Sequence, residues 1–357
     1  MDEKANISKT AIGSIAVDAM GGDLGPAEVV EAVTIALKFA NAPKHITLVG
    51  QEDVLFPLLE QHKLANHKRI DVFNASEVIG MDEKPIQSLK HKKDSSLVRS
   101  VELVKLGQCE AAVSCGNTGS LMACGTLKLR TMPGVERPAL SSIWPGGSGH
   151  FVMLDVGANP TPKPEHLVHN AILGSWHHKS IFETEKMPKV GLLSIGTEES
   201  KGHELIQTTN EYLKQIGDII NYVGPIEGFQ VFNGDVDIVV CDGFTGNVLL
   251  KSSEGLYKML KKDVTAEIKR RPWRILGALL LAGAFKSIKG KLNPDKYSGA
   301  PLLGLNGNVI KSHGSANKHA IAAAIIAATE FVRHDLALHA REDIEKANEI
   351  INAYKKS

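Results

Sequence analysis

The chain has 357 residues, of which 43% are hydrophobic and 23% are charged, and its net charge is +1. This length allows one large domain or two closely packed ones, and the balanced charge gives no sign of nucleic-acid binding. The four cysteines show neither a CxxC pair nor metal-ligand spacing, so reduced thiols in a cytoplasmic protein without a metal or other cofactor are expected. The polar residues 1–12 are expected to form a flexible tail.

Apolar strands alternate with helical patterns along the whole chain. The strands are predicted, in chain order, at Ser14–Asp18, Ile46–Val49, Ile70–Phe73, Ser141–Trp144, Phe151–Val156, Val190–Ile195, Ile219–Val223, Ile238–Cys241 and Val309–Ile310. The helices are predicted at Pro26–Ala40, Leu97–Leu106, Glu165–Trp176, His203–Gln215, Asn247–Lys269, Ser315–Val332 and Ile344–Tyr354. Continuous apolar strands between helices predict a mostly parallel sheet covered on both faces, a three-layer α/β/α unit over residues 1–357.

Two glycine-rich turns have the same local design, an apolar strand followed by Gly-x-Thr-Gly and a helix. The first contains Gly116, Asn117, Thr118, Gly119 and Ser120, and the second contains Gly243, Phe244, Thr245, Gly246 and Asn247. Such a turn directs free backbone N–H groups toward a ligand above the sheet, which suits an anion such as phosphate. Neither turn is a Walker A loop or a dinucleotide fingerprint, and each also fits an ordinary connection between strand and helix.

Other polar residues follow predicted strands at Asp18, Asp155 to Asn159, and Lys311 to His313. Ligands of such sheets bind beyond the carboxyl ends of the strands, so the glycine turns and these residues are expected to meet in one crevice. Lys311 and His313 suit an anion contact and a proton donor, although a solvent-exposed turn explains them as well. Cys115 and Cys241 precede the two turns and are interpreted as packing residues rather than nucleophiles.

The segment from Lys258 to Lys296 is strongly basic. It contains eleven Lys or Arg residues and three Asp or Glu residues, which gives it a net charge of +8. It encloses the apolar stretch Ile275–Phe285, which is too short to span a bilayer. We interpret the segment as a helical protrusion that contacts an anionic membrane surface. The expected contact residues are Trp273, Leu276, Leu280, Leu281 and Ile288. Packing on the core or on a second subunit is the alternative.

The ordered set of motifs resembles the PlsX-type phosphate acyltransferases of bacterial phospholipid synthesis. The resemblance covers about residues 14 to 332, and it rests on Asp18–Pro26, Ser114–Ser120, Glu136–Leu140, Leu154–Asn159, Ile195–Gly202, Cys241–Lys251 and Tyr297–Asn317. Cys115 and the proline-rich stretch Pro160–Pro164 depart from the family pattern. The resemblance implies a fold similar to isocitrate and isopropylmalate dehydrogenases and to phosphotransacetylases, and it implies a homodimer.

The resemblance also implies a reaction, the transfer of an acyl group from acyl-acyl carrier protein to inorganic phosphate. The product, an acyl phosphate, would pass to a membrane glycerol-3-phosphate acyltransferase. We assign the catalytic roles to four residues and the binding of phosphate and carbonyl to ten more. The catalytic residues are Lys311, His313, Asn117 and Asp242, and the binding residues are Asp18, Gly116, Thr118, Gly119, Ser120, Asn159, Gly243, Thr245, Gly246 and Asn247.

Two other functions remain open from the sequence. One is an NAD-dependent decarboxylating dehydrogenase of the same fold, although no arginine-rich carboxylate clamp or acidic metal set is evident. The other is a non-enzymatic scaffold that binds acyl carrier protein and the membrane, which accounts for the basic segment but leaves the glycine turns unexplained.

Overall fold

One sheet of eleven strands organises the protein. The computed structural model describes residues 13–147, 149–292, 298–333 and 336–356, so the predicted tail over 1–12 lies outside the described residues. The strand order is β3-β2-β1-β4-β11-β10-β5-β6-β9-β7-β8. The strands are β1 (Ser14–Asp18), β2 (His45–Gly50), β3 (Ile70–Asn74), β4 (Ala111–Ser114), β5 (Ala139–Gly146), β6 (Gly149–Leu154), β7 (Lys189–Ser194), β8 (Asn221–Glu227), β9 (Ile238–Val240), β10 (Ala300–Leu303) and β11 (Asn308–Lys311).

The sheet consists of two parallel halves that run in opposite directions. In one half β3, β2, β1, β4 and β11 are parallel, and in the other β6, β9, β7 and β8 are parallel. Between them, the β11–β10, β10–β5 and β5–β6 pairings are antiparallel, and these three reversals invert the second half. The two glycine turns therefore follow strands that run in opposite directions. The predicted mostly parallel sheet did not include this inversion.

Helices cover both faces of the sheet. They are α1 (Pro26–Ala36), α2 (Glu52–Gln61), α3 (Pro85–His91), α4 (Ser96–Lys105), α5 (Thr118–Leu129), α6 (Pro164–Phe182), α7 (Glu204–Gln215), α8 (Gly243–Lys269), α9 (Pro272–Leu280), α10 (Ala282–Leu292), α11 (Lys318–Arg333) and α12 (Leu336–Tyr354), with a short 3-10 helix at Gln230–Phe232. Alternate residues of a strand point to opposite faces, and accordingly Ile15 and Val17 pack with α1 and α11 while Ala16 packs with α4 and α5. The three-layer α/β/α prediction is confirmed.

Most predicted elements are present, but the sequence patterns missed three. Helix α2 contains Pro57, a residue that normally breaks a helix interior. Helix α3 has only seven residues, too few for a clear periodic pattern. Strand β10 is a four-residue strand rich in proline and leucine. In addition, α1 ends at Ala36 rather than at the predicted Ala40.

The basic segment forms the end of α8 followed by α9 and α10, and its residues 293–297 lie outside the described ranges. Helix α9 packs against α8 and α10, and none of its residues is buried. The predicted contact residues Trp273, Leu276, Leu280, Leu281 and Ile288 are all more than half exposed. The segment is thus an exposed apolar helical projection. Among the described helices, none combines the length and apolarity needed to cross a membrane.

Candidate functional site

The first glycine turn connects β4 to α5, and Asn117 caps that helix. The Oδ1 atom of Asn117 accepts a hydrogen bond from the backbone N–H of Ser120 at 2.9 Å. Its Nδ2 atom donates to the carbonyl oxygens of Met81 at 2.5 Å and Glu83 at 3.3 Å. Both polar groups of the Asn117 side chain are therefore engaged within the protein. Its place in the site is that of a positioning residue, which ties the turn to the segment before α3.

Asp18 supports the same turn from below. Its buried carboxylate accepts the hydroxyl proton of Ser114 at 2.6 Å, and the Ser114 oxygen accepts the N–H of Gly116 at 3.0 Å. A Cβ atom on Gly21 would lie 2.4 Å from the Asp18 carboxylate, so only glycine fits there. Ser120, predicted as a ligand contact, is fully buried with its hydroxyl 3.4 Å from that of Ser88. Thr118 and Gly119 remain partly exposed at the start of α5.

The second glycine turn connects β9 to α8, and Asp242 caps that helix. The Asp242 carboxylate accepts both the backbone N–H of Thr245 at 2.9 Å and its hydroxyl proton at 2.6 Å. The N–H of Gly243 donates to the carbonyl oxygen of Asn159 at 2.8 Å. Gly246 lies so close to the segment after β6 that a Cβ atom would fall 1.9 Å from the Asp155 carbonyl oxygen. The N-terminus of α8 is therefore seated on residues 155–159.

Asp155 organises residues 155–159. Its carboxylate accepts backbone N–H groups from Gly157 at 3.0 Å, Ala158 at 2.8 Å and Asn159 at 2.7 Å. Burial raises the pKa of this carboxyl group, and the hydrogen bonds oppose that rise. The amide of Asn159 donates to the Asp155 carboxylate and to the Pro138 carbonyl oxygen, so Asn159 is buried as a structural brace. Asn247, in contrast, is exposed beside this segment.

Lys311 ends β11 with its ammonium group inside the protein. Its Nζ atom donates to the carbonyl oxygen of Cys115 at 3.1 Å and also to that of Ser312. Burial lowers the pKa of Lys311 to about 8, and the nearby Asp18 opposes this shift. The side chain is only 7% exposed. Its positive charge therefore lies directly beneath the first glycine turn rather than at the protein surface.

His313 and Lys251 join the two halves of the sheet. The Nε2 atom of His313, two residues after β11, lies 2.5 Å from the Nζ atom of Lys251 on α8. On its other side, the Nδ1 atom of His313 is 2.9 Å from the Ser315 hydroxyl. This contact brings α8 beside residues 311–315, while the two glycine turns themselves follow strands of opposite direction, so their meeting in one crevice stays a prediction. Sequence reasoning did not select Lys251, although it follows Asn247 by one helical turn and shares its face.

The cysteines beside the two turns are packing residues. All four cysteines of the chain are free and buried. Burial raises the pKa of the Cys115 thiol to about 11 and that of Cys241 well above its usual range. Because the thiolate is the nucleophilic form, neither thiol is suited to attack a substrate at neutral pH, as the sequence interpretation held.

We therefore expect Cys115→Ala to keep a turnover number within about twofold of the wild-type value. The same change should lower the free energy of unfolding by about 1 kcal/mol, because a small buried group is removed. Initial-rate assays and urea unfolding measure the two effects. Cys124→Ala on α5 is the matched control, since that thiol is also buried, with a pKa raised to about 12. A tenfold loss of turnover in Cys115→Ala alone would contradict the packing role.

The groups at the two glycine turns have the chemistry that suits an anion. Two helices, α5 and α8, begin at glycine turns with their positive dipole ends, and their caps Asn117 and Asp242 already accept the N–H groups of Ser120 and Thr245. The ammonium of Lys311 lies under one turn, and that of Lys251 lies on the second helix. Within the described ranges, no group of three or more His, Cys, Asp or Glu is arranged to hold a metal ion.

This fold and site define an α/β protein built on the phosphotransacetylase fold. A phosphotransacetylase from Streptococcus pyogenes superposes with a TM-score of 0.59 at 18% identity, covering 93% of this chain and all of the other. A branched-chain phosphotransacylase from Enterococcus faecalis V583 gives a TM-score of 0.55 at 15% identity, covering 90% of this chain and 99% of the other. At such low identity, these likenesses establish the fold alone.

Sequence comparison gives the particular family. The family described as "Fatty acid synthesis protein" matches residues 14–339, and the chain belongs to it. A protein named phosphate acyltransferase from Aeromonas salmonicida is 44% identical over 334 residues, which cover 93% of this chain and 96% of that protein. Another of that name, from Herminiimonas arsenicoxydans, is 43% identical over 325 residues, 90% of each chain. The PlsX-type resemblance read from the motifs is confirmed.

Proposed function

We propose that this protein transfers an acyl group from a thioester to inorganic phosphate, forming an acyl phosphate for phospholipid synthesis. The observation that carries the proposal is the contact between Lys251 on α8 and His313 after β11, which brings α8 close to the Lys311 ammonium beneath the first glycine turn. The relatives named phosphate acyltransferase support the choice of phosphate as the acyl acceptor.

The reaction needs positioning more than acid–base chemistry. A phosphate oxygen attacks the thioester carbonyl carbon, a C–O bond forms, the C–S bond breaks, and the sulfur leaves with the bonding electrons. Holding the two reactants together supplies several kcal/mol of barrier reduction. The backbone N–H of Thr118, at the start of α5, is the group proposed to stabilise the oxyanion that develops on the carbonyl, because the N–H of Thr245 is already bonded to the Asp242 carboxylate. His313 is the group placed to protonate the departing thiolate, or to orient the phosphate.

The acyl donor in this proposal is acyl-acyl carrier protein, an acidic partner. Its support in the structure is a basic rim formed by the exposed residues Lys84, Lys90 and Lys93. This rim lies beside the first glycine turn, because Asn117 binds the Met81 and Glu83 carbonyls just before α3. Electrostatic steering by such a rim favours encounter with an acidic protein.

Hydroxamate trapping tests the function directly. The protein is incubated with acyl-acyl carrier protein and inorganic phosphate, and hydroxylamine then converts any acyl phosphate to a hydroxamate. Phosphate-dependent hydroxamate supports the proposal, and its absence with active carrier would overturn it. Omitting the protein, and replacing phosphate with sulfate, are the controls. An absorbance change on adding NAD and a hydroxy acid would instead favour the dehydrogenase of the same fold.

We also propose that α9 and α10 attach the protein peripherally to the anionic cytoplasmic face of a membrane. Leu280 is 89% exposed, and Trp273, Leu276 and Leu281 are more than half exposed on the same short helix or at its end. The basic residues Arg270, Arg271 and Arg274 border this apolar surface. Apolar side chains beside cations are typical of helices that lie in the interface of an anionic bilayer.

Leu280→Glu is expected to weaken binding to anionic phospholipid vesicles at least tenfold. The change removes one apolar side chain, worth about 1.5–3 kcal/mol when buried, and adds a charge that the anionic surface repels. Co-sedimentation with vesicles measures the effect. Leu106→Glu, at the end of α4, is the matched control because Leu106 is also exposed, at 68%. If Leu280→Glu sediments as wild type does, the proposed attachment is wrong.

The remaining partners follow from the same proposal. We infer a homodimer, which is supported by the exposed apolar residues Leu256, Leu260 and Val264 on the side of α8 away from Lys251. Sedimentation velocity of the purified protein tests the dimer. The acyl phosphate product would be consumed by a membrane glycerol-3-phosphate acyltransferase, and an attached enzyme would release it near that membrane.

A further inference from the structure

The site holds two lysines in different states. Lys311 is buried, and its ammonium group already donates to two backbone carbonyls. The side chain of Lys251 is 48% exposed, and its nearest acidic partner, Glu254, lies 3.7 Å away. We propose that Lys251 is the cation that contacts the incoming phosphate, and that His313 positions its ammonium group over the site. This inference rests on the proposed function and adds a binding residue to it.

The position of Lys251 on α8 supports this assignment. Lys251 follows Asn247 by four residues, so the two side chains lie on one face of α8, one turn apart. Asn247 is itself exposed next to residues 155–159, where a Cβ atom on Gly157 would lie 2.6 Å from its Nδ2 atom. A phosphate on this face of α8 would lie between the Asn247 amide and the Lys251 ammonium. The surroundings of Lys251 therefore differ from those of an ordinary surface lysine.

His313 fixes the direction of the Lys251 side chain. A lysine side chain has a flexible four-carbon stem, and it loses much conformational entropy when its ammonium group is held in one place. The 2.5 Å contact between Nζ and Nε2 restrains its end, and Ser315 restrains the other side of the imidazole. Because this restraint exists before phosphate arrives, part of the entropic cost of binding is already met by the folded protein.

The charge of the pair is also suited to an anion. Burial lowers the pKa of His313, and the Lys251 ammonium lowers it further. The charged groups that face His313 are Lys251, Glu254 and Lys258 from α8 and Lys311 from β11. Both effects disfavour a charged imidazole, whose Nδ1 atom accepts the backbone N–H of Ser315 at 3.2 Å, so the positive charge of the pair lies on Lys251. A phosphate dianion would meet that charge directly.

Isothermal titration of inorganic phosphate into the purified full chain tests the inference without any acyl donor. Lys251→Met should weaken phosphate binding about tenfold or more, since one charge-assisted hydrogen bond is lost. Lys251→Arg, which keeps the charge, should recover part of the loss. Lys258→Met is the matched control, because Lys258 lies two turns further along the same face of α8, and its phosphate affinity should stay within twofold of wild type.

Steady-state kinetics provide the second measurement. In Lys251→Met, the KM for phosphate should rise about tenfold while the KM for the acyl thioester stays within twofold. Unchanged phosphate affinity in Lys251→Met, or equal losses in Lys251→Met and Lys258→Met, would overturn the inference. If the wild type binds phosphate and Lys251→Met does not, but neither forms acyl phosphate, the binding residue stands and the proposed function fails.

Discussion

Replacing Gly246 with alanine is expected to lower the free energy of unfolding by about 3 kcal/mol and to abolish most activity. A Cβ atom at this position would lie 1.9 Å from the carbonyl oxygen of Asp155 and 2.9 Å from the sulfur of Cys241. The carbonyl belongs to the backbone and cannot rotate away, so α8 must shift off residues 155–159. Overpacking of this kind usually costs about 1–3 kcal/mol, and rigid neighbours give the larger values.

A second glycine of the same helix provides the control. No atom lies within 4 Å of a Cβ atom built on Gly255, so Gly255→Ala should raise stability by about 0.5–1 kcal/mol through helix propensity. Urea unfolding followed by circular dichroism compares the two variants, and hydroxamate trapping gives their activities. If Gly246→Ala unfolds at the wild-type urea concentration, the close packing of α8 on Asp155 is wrong.

Lys311→Met is expected to lower acyl phosphate formation at least tenfold at pH 7 while leaving stability unchanged or higher. The buried ammonium lies beneath the first glycine turn, so its loss removes positive charge where phosphate is proposed to bind. Methionine has similar length and no charge to desolvate, and exchanging a buried charge for an apolar side chain is often neutral or stabilising. Initial rates and urea unfolding separate the two effects.

The pH dependence of this variant gives a sharper test. The folded-state pKa of Lys311 is about 8, below its ordinary value of 10.5. Between these values the unfolded chain binds more protons, so the contribution of Lys311 to stability rises with pH and is unfavourable below pH 8 by about 3 kcal/mol. The rate advantage of wild type over Lys311→Met should shrink as pH rises through about 8. A constant ratio from pH 6 to pH 10 would exclude a role for the ammonium charge.

The strands and the glycine turns were predictable because their signals are local. A buried strand such as β1 is an uninterrupted apolar run, and the caps Asn117 and Asp242 stand at the helix starts that their residue types favour. The apolar exposure around Leu280 was also readable, because basic residues flank an apolar stretch of unusual length. Each of these features depends on residues that are close together in the chain.

The features that escaped sequence reasoning depend on residues far apart in the chain. The inversion of the second half of the sheet depends in part on the antiparallel pairing of β10 with β5, in which Leu302 lies opposite Leu140, more than 100 residues earlier in the chain. The contact between Lys251 and His313 spans 62 positions. Similarly, the internal bonds of Asn117 to Met81 and Glu83 depend on a loop that has no periodic pattern. The spacing of residues along the chain cannot predict such pairs, because it carries no information on which distant segments come into contact.

Helix α8 links two regions with different proposed tasks. At 1.5 Å per residue, its 27 residues extend about 40 Å. Its first three turns carry Asn247 and Lys251, and its far end leads into the apolar helix α9. With α9 on a membrane, as proposed, the continuous helix α8 would couple the orientation of that contact to the position of Lys251 beside His313. Lipid packing around α9 would then affect catalysis through α8, which connects the proposed membrane contact to the site.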